Sequence, residues 1–306
     1  MRLLVTGAAG FIGSNLALEL ARRGHSVVGL DDFSNGSFEN LVDLSGDVIA
    51  ADLRERAWQD RAGPVEAVFH QAAITDTTLS DQMRMMEVNV EAFRELLGWA
   101  ARQGVRAVVY ASSAGVYGDG PLPMRESAGP RPLNVYAFSK RVMESVAADF
   151  AKSHPQTRVV GLRYFNVFGP RERFKGKAAS MIWQLAQQIL AGKPPRIFEF
   201  GEQYRDFIYV RDVVEANLLA LDKAPGGVYN VCTGEKTTFN RLVEILNSVL
   251  GTRLQPEYFK NPYSFYQEET LGDPARAESR FGFRARCSVA AGVREYLGGL
   301  GAPVGV

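Results

Sequence analysis

The sequence predicts an α/β fold: a doubly wound parallel sheet followed by a smaller C-terminal α/β lobe. Three observations predict it. Short β-branched runs alternate with longer helical patterns through the first half of the 306 residues, a glycine-rich turn joins the first run to the first helix, and beyond residue 168 the texture changes to loops rich in Gly, Pro and Arg. Strand and helix in alternation imply βαβ units, whose right-handed crossovers put helices on both faces of the sheet.

In chain order, the strand patterns are RLLVTG (2–7), SVVGLD (26–31), DVIAAD (47–52), EAVFHQAA (66–73), AVVYASS (107–113) and VVGLRYF (159–165). Between them, apolar residues recur at helical spacing in FIGSNLALELARRG (11–24), MMEVNVEAFRELLGWAARQG (85–104) and VYAFSKRVMESVAADFAK (135–152). Loops GPRERFKGKAAS and AGKPPRIFEFGEQYR then precede DFIYV (206–210), the helical RDVVEANLLALDKA and GVYNV (227–231). This organisation predicts a sheet domain over residues 1–168 with 207–232 returning to it, and a substrate lobe from 169–206 with 233–306. The closing GGLGAPVGV reads as a frayed tail.

Composition excludes several classes of partner. With 35 Lys and Arg against 34 Asp and Glu, the net charge of +1 provides no field to draw the chain to nucleic acid or to an anionic membrane. Cys232 and Cys287 are not in metal or redox spacing, which suits a reducing cytosol, and His25, His70 and His154 are too scattered to suggest a metal site. The chain runs directly into a strand, and nowhere does an apolar stretch of about 18 residues occur, so a cytoplasmic protein is expected.

Chemistry enters at the first turn. VTGAAGFIGSNLALEL places Gly7, Gly10 and Gly13 between strand and helix, with Phe11 and Ile12 beside them. Glycines here permit a tight turn and the approach of a pyrophosphate to the helix N-terminus, which makes the sheet Rossmann-like. Asp31 ends the second strand about 20 residues on, placed for ribose hydroxyls. Asp32 follows it, and the next Lys or Arg is Arg54, so a 2′-phosphate would be repelled and NAD is favoured over NADP. Asp52 either accepts from the adenine amino group or caps the following helix.

A second constellation lies further on. With 11 tyrosines in the chain, one Tyr-x-x-x-Lys match carries little by itself. Tyr136 and Lys140, however, lie one turn apart on a helix that follows a strand delivering Ser112 and Ser113 to the C-terminal edge of the sheet, where ligands bind in open α/β folds. Tyrosine has an ordinary pKa near 10, so it acts as a base at neutral pH only beside a cation, which Lys140 would supply. Ser113 would hold the reacting oxygen.

The glycine triplet, the serine strand and YAFSK together resemble the extended short-chain dehydrogenase/reductase superfamily, especially its nucleotide-sugar epimerases and dehydratases. Where the dehydratases follow the serine or threonine with an acidic pair, this chain has Ala114 and Gly115, which disfavours dehydration. ASSAGVYG, PLNVYAFSK, LRYFNVFGPRERFKG, IFEFGEQYRDFIYVRDV and NPYSFYQ resemble the ADP-L-glycero-D-manno-heptose 6-epimerases among them. The resemblance implies inversion of the C6″ carbinol of an ADP-bound heptose through a transient ketone, with a cofactor that takes a hydride and returns it.

Inversion needs a second acid/base on the other side of the ketone, and the matching position is Lys175. The same resemblance implies substrate contacts at Asn166, Lys177, Gln184, Phe198, Glu199, Phe200, Gly201, Arg205 and Tyr266, and cofactor support from Asn89. Arg205 suits the pyrophosphate, since a guanidinium binds two of its oxygens at once. Thr75, Asp76, Thr77 and Thr78 form a polar loop near the expected sugar. Two positions depart from the pattern: Phe38 replaces a lysine that some members use for NADP, and Gln184 replaces a histidine. A homo-oligomer is implied. The rival readings are a UDP-sugar 4-epimerase, which has no need of Lys175, and a nucleotide-sensing binding protein on the same fold.

Overall fold

The computed structural model describes residues 1–77, 79–262 and 267–300, and of Lys177 the backbone alone. Its strands are β1 (Arg2–Thr6), β2 (Ser26–Asp31), β3 (Asp47–Ala50), β4 (Ala67–His70), β5 (Ala107–Ser113), β6 (Arg158–Tyr164), β7 (Asn166–Phe168), β8 (Arg196–Phe198), β9 (Tyr204–Arg205), β10 (Phe207–Tyr209), β11 (Gly227–Val231), β12 (Thr237–Thr238) and β13 (Glu257–Phe259). The helices are α1 (Phe11–Arg22), α2 (Ala57–Ala62), α3 (Gln82–Met86), α4 (Ala92–Arg102), α5 (Val135–Ser153), α6 (Met181–Leu190), α7 (Val210–Lys223), α8 (Phe239–Leu250), α9 (Ala275–Phe281) and α10 (Val289–Gly298). None of the described helices is long and apolar enough to cross a membrane.

Seven strands pair in the order β11-β6-β5-β4-β1-β2-β3, every neighbour parallel. The chain walks from β1 to one edge, returns to β4 beside β1, and walks to the other. That reversal opens a crevice at the C-terminal ends of β1 and β4, the place where such sheets bind ligands.

Both faces of the sheet are covered, which is why its central strands read as unbroken apolar runs rather than alternating ones. Leu3, Val5, Phe69 and Val109 pack on one side against Leu16 and Leu20 of α1 and Val213 and Leu221 of α7. Leu4, Val68 and Val108 point the other way, against Phe93 and Leu96 of α4 and Met143 and Ala147 of α5. A third core joins α6, α8 and α10 through Leu185, Leu246 and Leu297, and reaches α1 at Phe11.

Two expected segments differ. Of those expected to return to the sheet, GVYNV does so as edge strand β11, but Phe207–Tyr209 pairs in parallel with β7 in a separate ribbon. The chain leaves the sheet plane after Phe165, whose N–H still bonds Val231 O, and β7 thereby offers a new edge that β10 fills. The helical pattern of 85–104 is interrupted by a π turn at Glu87–Glu91 between α3 and α4. The expected frayed tail lies, from residue 301, outside the described residues.

His70, at the end of β4, is fully buried, its Nδ1 sharing a hydrogen bond of 2.8 Å with Thr6 Oγ1 and its ring stacked on Phe93. Burial, and then the Lys140 charge, pull its pKa down to about 3. The unfolded chain takes up this proton near 6.5, so the contribution is intact above that pH and is lost as the pH falls toward the folded value, at ~1.4 kcal/mol per pH unit. We expect His70→Gln, which cannot titrate, to flatten the acid limb of urea stability by up to one proton below pH 6.5. An unchanged slope would contradict the buried, neutral imidazole.

Candidate active site

A cleft of ≈ 1140 Å³ runs from the β1–α1 turn, over the ends of β4 and β5, to the walls formed by α6, β8 and β9. Gly7 has φ +67°, and a Cβ there would lie 2.6 Å from Ala72 N. A Cβ at Gly13 would lie 2.0 Å from Gly7 O, so α1 approaches β1 this closely only because residue 13 is glycine. Gly10 caps α1 with no side-chain hydrogen bond, and the first turn carries no acidic residue. Gly10, Phe11, Ile12 and Gly13 line the cleft, and this uncapped, acid-free helix end fits a pyrophosphate.

Asp31 and Asp32 also line the cleft. Asp31 holds the turn by accepting from Ala9 N and Phe33 N, both at 2.8 Å, while Asp32 accepts from Ser34 N and Oγ. Of the two readings for Asp52, capping drops out: α2 starts at Ala57 with Arg56 before it, and Asp52 instead accepts from the Arg54 backbone (2.9 Å) and its guanidinium (2.6 Å) in the cleft wall. Asn89, expected to support the cofactor, does not itself line the cleft. It is fully buried below the wall, its amide bonded to Ile74 N (2.8 Å), Ile74 O (3.0 Å) and Ser139 Oγ (3.0 Å). The π turn presents its neighbour Val88 to the cleft in its place.

The serine strand and the tyrosine helix converge as expected. Asn134 caps α5 by accepting from Ala137 N (2.9 Å), which sets Tyr136 in the first turn of the helix. Ser113 Oγ accepts from Gly115 N (3.0 Å) and hydrogen-bonds the Tyr136 phenol. One turn on, Lys140 Nζ donates to Ala111 O (2.8 Å) and lies 5.9 Å from the Tyr136 ring centroid. Burial raises the tyrosine pKa against the pull of the Ser113 hydrogen bond, and burial draws Lys140 down to about 7 with the Glu144 carboxylate opposing.

Lys175 enters the same cleft from the lobe side. It sits on a 3-10 segment, Glu172–Ala178, that kinks at Gly176 (φ +54°). This segment is tied down rather than loose: buried Glu172 accepts from Gly169 N (3.1 Å), Ser180 N (2.7 Å) and Ser180 Oγ (2.9 Å). Lys175 Nζ lies 5.5 Å from the Phe11 ring centroid, and burial lowers its pKa against the opposing charge of Glu172. A lysine so placed is a competent proton acceptor.

Asn166, Gln184, Phe198 and Arg205 line the lobe side. Asn166 Nδ2 donates to Thr270 Oγ1 (2.9 Å), and Arg205 donates to Tyr204 O (2.9 Å) and Glu268 O (2.7 Å). Glu199, Phe200 and Gly201 do not line it, contrary to expectation. After Phe198 the chain turns, Gly201 N bonding Phe198 O (2.9 Å), and carries Phe200, 74% exposed, outward beside Tyr258. Of the Thr75 to Thr78 loop, Thr75 reaches the wall. The Lys177 side chain, Tyr266 and Thr78 lie outside the described residues.

The sequence reading missed Lys193 and Arg196 in the lobe wall, although AGKPPRIF offered the signal of a cationic loop. It also missed a buried ion pair, Glu144 with Arg163, signalled by a lone arginine inside the apolar run VVGLRYF.

Residues 3–232 match the NAD dependent epimerase/dehydratase family. The chain belongs to that family. Within it, the chain is 36% identical over 315 aligned residues to the ADP-L-glycero-D-manno-heptose-6-epimerase of Alkalilimnicola ehrlichii, covering 96% of each protein. The crystal structure of the Helicobacter pylori ADP-L-glycero-D-manno-heptose-6-epimerase superposes with a TM-score of 0.91 at 40% identity, over 98% of this chain and 96% of that one. Family members of other specificity are also similar: the Thermus thermophilus UDP-glucose 4-epimerase, solved with NAD, has a TM-score of 0.87 at 33% identity over 97% and 98% of the two chains.

Proposed function

We propose that the protein is an NAD-dependent nucleotide-sugar epimerase that inverts C6″ of ADP-D-glycero-D-manno-heptose. The observation that carries this reading is the partly buried Lys175 amine in the same cleft as Tyr136, on a segment that Glu172 anchors. A 4-epimerase that turns its whole ketosugar over before one base has no use for it.

With its pyrophosphate held at the glycine turn, NAD would supply a hydride acceptor that later becomes the donor. Tyr136 takes the proton of the C6″ hydroxyl, aided by the Lys140 charge, while the Ser113 hydroxyl holds the oxygen. After rotation about the bond to C6″, the other face of the ketone is presented, and Lys175 delivers the proton to the new alkoxide. In the reverse direction the two residues exchange roles. Arg205 is assigned to the pyrophosphate, with Asn166 and Gln184 holding the sugar. Asp31 and Asp32 disfavour a 2′-phosphate, so NAD rather than NADP is the cofactor of this reading.

The test offers the purified protein ADP-D-glycero-D-manno-heptose and, separately, UDP-galactose, following the sugar protons by NMR. The expected result is equilibration of the ADP-heptose alone, at C6″. Conversion of UDP-galactose alone would move the function to 4-epimerisation and leave Lys175 a binding residue.

A further inference from the structure

A buried charge network lies one helical turn beyond Lys140. Glu144, 5% exposed, follows Lys140 by four residues on α5, so both project from the same face. Its Oε1 accepts from Ser112 Oγ (2.6 Å) and Arg163 Nε (2.7 Å), and its Oε2 accepts from Arg163 Nη2 (2.7 Å). Ser112 and Arg163 are register partners on β5 and β6, so the carboxylate bridges two strands beneath the helix. The residue before Ser112 is Ala111, whose carbonyl takes the Lys140 hydrogen bond. Arg163 is stacked at 4.6 Å over Tyr117, whose hydroxyl is bonded to Asn230 Oδ1 (2.6 Å), which fixes the guanidinium from behind.

Two buried charges are a costly tie between helix and sheet, because an apolar pair of similar volume makes the tie without a desolvation penalty. What the apolar pair lacks is a negative charge beside Lys140. We propose that Glu144 is a positioning residue for the Tyr136 acid/base: its carboxylate, fixed by Ser112 and Arg163, holds Lys140 as an ammonium beside the phenol. The inference rests on Tyr136 serving as acid/base in the reading above.

The groups around the ammonium agree with this assignment. From its own helix it meets Tyr136 and Glu144, and from β4 the neutral His70; Tyr110 of β5 and Arg163 of β6 face Glu144. Burial works against the charge on Lys140, and Glu144 is the group that opposes burial. Without that carboxylate Lys140 loses its proton at lower pH, and the tyrosinate loses the cation that stabilises it.

Two variants of the NAD-loaded protein test the proposal: Glu144→Gln, and the double variant Glu144→Met with Arg163→Met, which leaves no unpaired buried charge if the single change fails to fold. The primary readout needs no substrate: lysine labelled with ¹³C at Cε, with Lys140 assigned by its loss in Lys140→Met, reports ionisation by NMR. The expected result in both variants is Lys140 losing its proton at least ~1 pH unit lower than in the unsubstituted protein. The alkaline limb of kcat for ADP-heptose should move at least ~1 unit lower, with KM unchanged. A folded variant whose Lys140 titration and alkaline limb coincide with the parent, even with a lowered Tm, would overturn the proposal and leave Glu144 a tie between helix and sheet. If the parent does not turn over ADP-heptose, that failure counts against the substrate reading alone, since the titration still decides the role of Glu144.

Discussion

Lys175→Met lowers epimerisation by ~10²–10⁴-fold, the range expected on removing a positioned acid/base. Methionine keeps the length and the apolar packing against Phe11 but has no proton to give or take. Since burial already disfavours the Lys175 charge, the substitution removes a desolvation cost, and the fold should be no less stable. Loss of turnover therefore cannot be put down to unfolding. The account also predicts which half of the reaction survives. With Tyr136 intact, the epimer whose C6″ hydroxyl meets that residue is still oxidised, so mixing it with the variant gives a burst of reduced-nicotinamide absorbance without inversion. Turnover close to that of the parent would assign Lys175 to binding and favour 4-epimerase chemistry.

Tyr136→Phe loses activity to a comparable degree, ~10²–10⁴-fold, and its residual chemistry is the mirror image. The ring still packs in the first turn of α5, but the phenol that meets Ser113 is gone. Oxidation then survives only for the other epimer, through Lys175. Single-turnover mixing of each variant with each epimer gives a two-by-two pattern that neither one-base chemistry nor a non-catalytic nucleotide sensor reproduces. Combining the substitutions should abolish both bursts rather than multiply two losses, because the residues act on one proton inventory from opposite sides. Activity retained in Tyr136→Phe would overturn the whole catalytic assignment.

Where the chemistry was legible in the sequence, local physics forces a residue type. Gly7 and Gly13 could be read because a Cβ at either would collide with backbone, and Ser113, Tyr136 and Lys140 because a strand end and one helical turn fix their relation. The sheet was legible for the same reason, its two faces writing themselves as apolar runs. The lobe was harder. The ladder of β7 and β10 depends on where the chain leaves the sheet plane after Phe165, which no periodicity encodes. A single turn residue, Gly201, carries Glu199 and Phe200 away from the cleft that Phe198 lines. Asn89 shows the limit for a single residue. The resemblance implied cofactor support there, while the structure buries the amide against Ile74 and Ser139 and the π turn puts Val88 at the cleft. Glu144 was invisible as a functional candidate because its partners, Ser112 and Arg163, come from strands distant in the chain.

The central claim is that one hydrogen leaves C6″ as hydride and returns to the opposite face of the same carbon, with Tyr136 and Lys175 serving the oxygen. The most direct measurement uses ADP-D-glycero-D-manno-heptose deuterated at C6″, in ordinary water, with the L-glycero product examined by NMR and mass spectrometry. The account predicts full retention of deuterium at the inverted carbon. Replacement of the label by a solvent hydrogen would mean that C6″ is deprotonated and reprotonated, and would contradict it.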